Sequence, residues 1–122
     1  MPGPRTIEKA ELALPHLVDY AKRGSAVTYK ELGHKVDLHP RPLRYVLGYI
    51  RDEICVPKGL PLINSIVVNQ DTRLPGESFL VDEAGPLTWE QYRQTVQAEQ
   101  KRVFDYTAWD ALLADLGLSP VS

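Results

Sequence analysis

Residues 28–54 read TYKELGHKVDLHPRPLRYVLGYIRDEI, and the fold turns on this stretch. Thr28 and Glu31 stand three apart, the spacing of a capping box in which hydroxyl and carboxylate each bond the other residue's amide. The box opens a short helix from Tyr29 to about residue 34, with Val27 placed to act as a hydrophobic staple. A brief turn, Val36-Asp37-Leu38, follows. His39-Pro40 opens a third helix, with proline near the first helical position, where its missing N–H is no loss. Leu43, Val46, Leu47, Ile50 and Ile54 recur at helical spacing and form the cleanest apolar stripe in the chain. The opposite face carries Arg41, Arg44, Gly48 and Arg51, with Tyr45 beside them.

On the N-terminal side, Thr6 can cap a first helix whose apolar stripe is Ile7, Ala10, Leu14, Leu17, Val18 and Ala21. Pro15 interrupts it, and an interior proline costs about 3 kcal/mol, which predicts a kink or break near Leu14. Gly24, after Lys22-Arg23, reads as the stop. On the C-terminal side, Val56-Pro57-Lys58-Gly59-Leu60-Pro61 argues against helix. Residues 62–68 are rich in β-branched side chains and read as a strand. Asn69-Gln70-Asp71-Thr72 reads as a turn, Arg73-Leu74-Pro75-Gly76-Glu77 as a loop or wing, and residues 78–81 as a second short strand. Thr88 and Gln91 form a second capping box, starting a helix with Trp89, Tyr92, Val96 and Val103 on one face. Thr107 and Asp110 are placed to cap a last helix over residues 108–116, stopped by Gly117.

Two helices joined by a tight turn and followed by a hairpin is the order of a winged helix-turn-helix. The expected class is mainly α with a small β hairpin. The chain reads as a single domain, 1–122, with a winged-helix-like core at 26–81 and a C-terminal helical extension at 87–117. Its 122 residues, 43% hydrophobic, are enough for one core and too few for two. A single Cys excludes an internal disulfide framework and a Cys-rich zinc site. No apolar run approaches the roughly 20 residues that cross a bilayer. The charged residues after Met1-Pro2-Gly3-Pro4-Arg5 show no signal-peptide pattern. The expectation is a cytoplasmic protein with no membrane partner.

The net charge is -2, unevenly spread. Residues 1–60 hold ten Lys/Arg against seven Asp/Glu, and residues 61–122 hold four against nine. A basic half points to an anionic partner for that half. A helix that enters a DNA groove must be apolar where it docks on its own domain and must elsewhere carry donors that reach phosphates or base edges. Arg41, Arg44 and Arg51 meet the second demand, and Gly48 would let a backbone approach closely. The bland alternative is a surface helix whose arginines pair with Asp52 and Glu53.

Other constellations carry less. His16, His34 and His39 lack the spacing of metal ligands, and no metal or cofactor is expected. Cys55 reads as a small buried hydrophobe. Ser65 has no triad context. Asn69, Asp71 and Glu77 read as polar turn residues, and Trp89, Tyr92 and Trp109 as packing residues.

Thr28-Tyr29-Lys30-Glu31-Leu32 and Arg44-Tyr45-Val46-Leu47-Gly48 resemble the DNA-binding module of the alkylguanine-DNA alkyltransferases and alkyltransferase-like proteins. In that family a threonine-tyrosine-x-glutamate-leucine box begins the first helix of the motif. An alanine-arginine-alanine-valine-glycine stretch lies on the recognition helix, and its arginine fills the gap left by a flipped base in the minor groove. Arg44 falls at that arginine's place, with Leu43 and Leu47 replacing small residues. The family then has a proline-rich passage, a Pro-Cys-His-Arg active site, two valines and a glycine-rich wing. This chain has Leu60-Pro61-Leu62-Ile63, Asn64-Ser65-Ile66, Val67-Val68, Asp71, Arg73-Leu74 and Gly76. The likeness spans roughly residues 26–79. With the valines in register, Asn64-Ser65-Ile66 stands where the family has Cys-His-Arg, so acceptor thiol and histidine are both missing.

The resemblance implies a non-enzymatic protein that binds duplex DNA, with recognition of modified or flipped bases. Tyr29, Arg41, Arg44, Tyr45, Gly48, Arg51 and, in the wing, Arg73 are the expected contacts. The alternative is a protein-interaction module, such as an immunity protein, antitoxin or accessory subunit of a bacterial defence system, that uses its acidic C-terminal half on a protein partner.

Overall fold

A computed structural model describes residues 4–75 and 88–121, the side chains of Pro4, Pro40 and Trp89 excepted. Helix α1 (Pro4–Arg23) runs unbroken through Pro15. The expected break is absent because the stripe continues on both sides of the proline: Ala10, Ala13, Leu14, Leu17, Val18 and Ala21 are all buried. Burying each larger aliphatic side chain is worth roughly 1.5–3 kcal/mol, and several together outweigh one proline at about 3 kcal/mol. Ile7, expected in the stripe, is 37% exposed and lies outside it. Gly24, at φ 68, ends the helix, with Ser25 N–H returning to the Tyr20 carbonyl at 3.0 Å.

Strand β1 (Val27–Thr28) leads directly into α2 (Tyr29–Val36), and the capping box at its start is formed. Thr28 Oγ1 accepts from Glu31 N–H at 3.1 Å, and Glu31 Oε1 accepts from Thr28 N–H at 3.2 Å. Asp37, in the left-handed region, closes α2 with its N–H on the Gly33 carbonyl. The same carbonyl accepts from Leu38 N–H at 2.8 Å. Helix α3 (Pro40–Tyr49) follows at once.

The helical path does not stop at Tyr49. It widens into a π-helix over Ile50–Cys55 and ends in a last α turn, α4 (Val56–Lys58). The reading of residues 56–61 as non-helical is therefore corrected for Val56–Lys58, while residues 59–61 are non-helical as expected. Val56 N–H already reaches back five residues to the Arg51 carbonyl, and Pro57 comes where the bonding pattern changes and a missing N–H is tolerated. Gly59, at φ 66, then closes the turn. The whole expected stripe, Leu43, Val46, Leu47, Ile50 and Ile54, is buried, and Cys55 joins it.

The expected strand over residues 62–68 shrinks to β2 (Val67–Val68). Ile63–Ile66 instead forms a 3-10 turn, buried throughout. In that winding residues three apart eclipse each other, so Ile63 and Ile66 both reach the core, which an alternating strand would not allow. β2 pairs with β1 in parallel, Val27 beside Val67 and Thr28 beside Val68. The expected second strand at 78–81, and with it the hairpin, lies outside the described residues. After β2 the chain turns sharply, with Arg73 N–H on the Asn69 carbonyl and Asn69 N–H on the Leu74 carbonyl, both at 2.9 Å.

Helix α5 (Trp89–Asp105) opens on the expected Thr88–Gln91 capping box. Helix α6 (Trp109–Asp115) does not begin as expected. Its N-cap is Ala108, which has no side-chain acceptor, and Asp110 instead pairs with Lys22 of α1 at 2.9 Å. Trp109 is buried and its indole N–H donates to the Val103 carbonyl at 3.0 Å. Three side chains of α5 hold the central segment: Glu99 accepts from Leu62 N–H at 2.7 Å, Gln100 donates to the Ser65 carbonyl at 2.9 Å, and Tyr92 donates to the Pro75 carbonyl at 2.8 Å. The architecture is mainly helical with a small two-stranded parallel sheet. Among the described residues no helix is long and apolar enough to cross a membrane.

Candidate nucleic-acid interface

The buried stripe fixes which side of α3 faces outward. Arg41 and Arg44 are exposed there, and Tyr45 is 71% exposed. Gly48 shares this face. A Cβ built on Gly48 would meet nothing within 4 Å, so packing does not require glycine at this position. Glycine inside a helix costs up to about 1 kcal/mol against alanine. Gly48 thus carries a cost for which the interior of the protein gives no return.

Arg51 behaves differently from the other two arginines. It lies in the π-helical stretch at the edge of the buried stripe, and its side chain is only 15% exposed. Its guanidinium holds Asp52 through two bonds, at 2.7 and 2.9 Å. Hydrogen bonding to Arg51 keeps the Asp52 carboxyl below its usual range. The pairing considered from the sequence therefore applies to Arg51 and Asp52. Tyr29 is half-buried at the start of α2 and packs against the core. Arg73 is exposed on a separate element, the turn after β2, with a left-handed backbone at φ 58.

Cys55 is fully buried. Burial raises its thiol from an ordinary 9.0 to about 11; a hydrogen bond from the Ile63 backbone acts the other way, and the Glu99 carboxylate adds to the rise. A thiol held protonated in this way is a poor nucleophile. Asn64 and Ser65, which stand where the resembled family carries its active site, are buried on the 3-10 turn. Among the described residues, Asn64 Oδ1 and Ser65 Oγ have no hydrogen-bond partner.

The structure also forms a feature that spacing alone did not signal. An open groove of about 460 Å³ lies at the turn between α2 and α3, lined by Lys30, Gly33, His34, Asp37, Leu38 and His39. Lys30, Gly33, His34 and Asp37 recur at helical spacing, so one face of α2 forms its wall. Sequence spacing marks the histidines only as poor metal ligands, and the groove appears once the turn brings His39 back toward α2. Among the described residues, no three His, Cys, Asp or Glu side chains are grouped to hold a metal ion.

Comparison of the chain with protein-family models, with characterised proteins and with solved structures finds no match.

Proposed function

We propose that the chain is a non-enzymatic DNA-binding module of the winged helix-turn-helix kind, with α3 as the element that meets duplex DNA. The observation that carries this reading is the division of α3. One side is entirely buried, and the other presents Arg41, Arg44, Tyr45 and a glycine that the fold does not need. The tight turn from α2 into α3 supports it, as does the likeness of residues 26–79 to the alkyltransferase-like DNA-binding module. In that likeness Arg44 enters the groove and fills the place of an extruded base; beside it Tyr29, Arg41, Tyr45 and Arg73 are further contacts, and Gly48 admits a close approach. Arg51, expected as a contact, has its charge balanced by Asp52 and is the weakest of the three arginines as a candidate.

The protein-interaction alternative would use the acidic C-terminal half. Three of its carboxylates are engaged within the chain: Glu99 with Arg102, Asp105 with Lys101, and Asp110 with Lys22. That leaves the exposed arginine face as the better supported surface.

A fluorescence-anisotropy titration against duplex DNA at several salt concentrations tests the proposal. Log affinity should fall with log salt by roughly 0.9 for each phosphate neutralised. No binding at low salt would overturn the DNA reading and turn attention to the acidic half.

A further inference from the structure

The groove at the turn between α2 and α3 has a definite charge balance. Lys30 and Asp37 offset each other, which leaves the two imidazoles to set its sign. A protonated imidazole is a donor at both nitrogens and adds a positive charge beside Lys30. The groove's other charged neighbours are committed elsewhere. Lys9 of α1 donates to the Val36 carbonyl at 2.8 Å, Lys35 lies over the Tyr20 ring at 5.9 Å, and Glu31 is held in the capping box. None of the three lines the groove.

We propose that this groove is a phosphate site in which Lys30, His34 and His39 converge on one anion, and that the anion is a backbone phosphate of bound DNA. The source of the phosphate rests on the DNA reading above; the site itself does not. Three observations support the geometry. Lys30 and His34 stand one helical turn apart on α2, and His39 faces them from across the turn. All three are exposed. His39 occupies the N-cap of α3 without a side-chain bond to that helix among the described residues, so its ring is not spent on capping. The start of α3 adds the positive end of a helix dipole. A duplex lying on the Arg41 and Arg44 face runs its backbone past this point, where side chains and helix starts make most contacts to phosphate.

Two measurements on the intact chain test it. The first is a proton NMR titration of the three imidazoles with inorganic phosphate between pH 5.5 and 8.5. His16, half-buried on α1 outside the groove, is the internal reference. Phosphate should move the titration midpoints of His34 and His39 upward and leave His16 in place. The second is duplex affinity at pH 8 and pH 6 for wild type and the His34→Gln/His39→Gln variant. Wild type should gain about tenfold at the lower pH, the lower end for a charge-assisted hydrogen bond, and the variant should lose most of that gain. Phosphate-dependent shifts without DNA binding would keep the site and assign it a free phosphate or nucleotide, while the DNA reading fell. DNA binding with unmoved imidazoles, or an equal gain in the variant, would overturn the site and leave the DNA reading standing.

Discussion

The carbonyl oxygen of Leu38 occupies the space that a side chain on Gly33 would need. The obstacle is main chain, held by the Leu38 N–H bond to the Gly33 carbonyl at 2.8 Å, so it cannot swing aside as a side chain would. The turn between α2 and α3 is tight because residue 33 is glycine.

Gly33→Ala should therefore destabilise the chain by about 1–3 kcal/mol, the usual cost of overpacking. Gly48→Ala should do the reverse, gaining up to about 1 kcal/mol from helix propensity. If DNA approaches α3 at Gly48, the same variant should bind duplex less well while melting higher. Thermal unfolding and anisotropy on the two variants separate these effects, and a Gly48→Ala protein with unchanged affinity would remove Gly48 from the interface.

Val46 and Ile50 lie at the centre of the buried stripe. Replacing either by Asp leaves a charge without a partner in the core and should cost more than about 3 kcal/mol, enough to unfold a small domain. Loss of the cooperative melting transition is the expected result; an unchanged midpoint would show that the stripe is not core.

The three arginines of this helical path should differ. Arg41→Ala should weaken all duplexes alike and flatten the salt slope by about one unit, as for a phosphate contact. Arg44→Ala should lose more on a duplex with a mismatched or modified base, where extrusion costs least. Arg51→Ala should change affinity least, because its guanidinium is already on Asp52. Equal losses on both duplexes for all three would reduce Arg44 to an ordinary backbone contact.

Cys55 sets a pH dependence whose sign follows from its raised value. Between 9.0 and about 11 the unfolded chain releases the thiol proton and the folded chain keeps it, so folding stability should fall as pH rises through that window. Denaturant unfolding at pH 8 and pH 10, compared with Cys55→Ala, reads the difference. Incubation with alkylated-guanine DNA should leave no alkyl group on the protein, and intact-mass spectrometry decides this; a stoichiometric adduct would contradict a non-enzymatic role.

Much of the fold was legible where the signal was local. Both capping boxes and the α3 stripe depend on residues three or four apart, and these appear as read. The parallel pairing of Val27 with Val67 joins distant segments, and nothing in either segment announces it. Residues 63–66 misread as strand because β-branched composition reports burial as well as extension, and here two isoleucines three apart both reach the core. Pro15 misread as a break because local cost was weighed without the packing on either side of it. The exposed side of α3 was readable from periodicity. The fate of Arg51 was not, because its guanidinium folds onto the neighbouring Asp52, a pairing that periodicity does not report.

The change of winding that begins at Ile50 decides the chemistry of the surface. An α-helix turns about 100° per residue, and continued that way Cys55 would point toward the side that carries Arg44 and Gly48. The wider turn instead sets Cys55 one full revolution after Ile50, pointing inward with it. The wider winding thus keeps the chain's single thiol from the face where it would meet electrophiles and oxidants. Removing one residue from this stretch, for example Glu53, should restore ordinary winding while placing the cysteine four residues after Ile50, on the same inward side, so a maleimide should still leave it unlabelled in the native state.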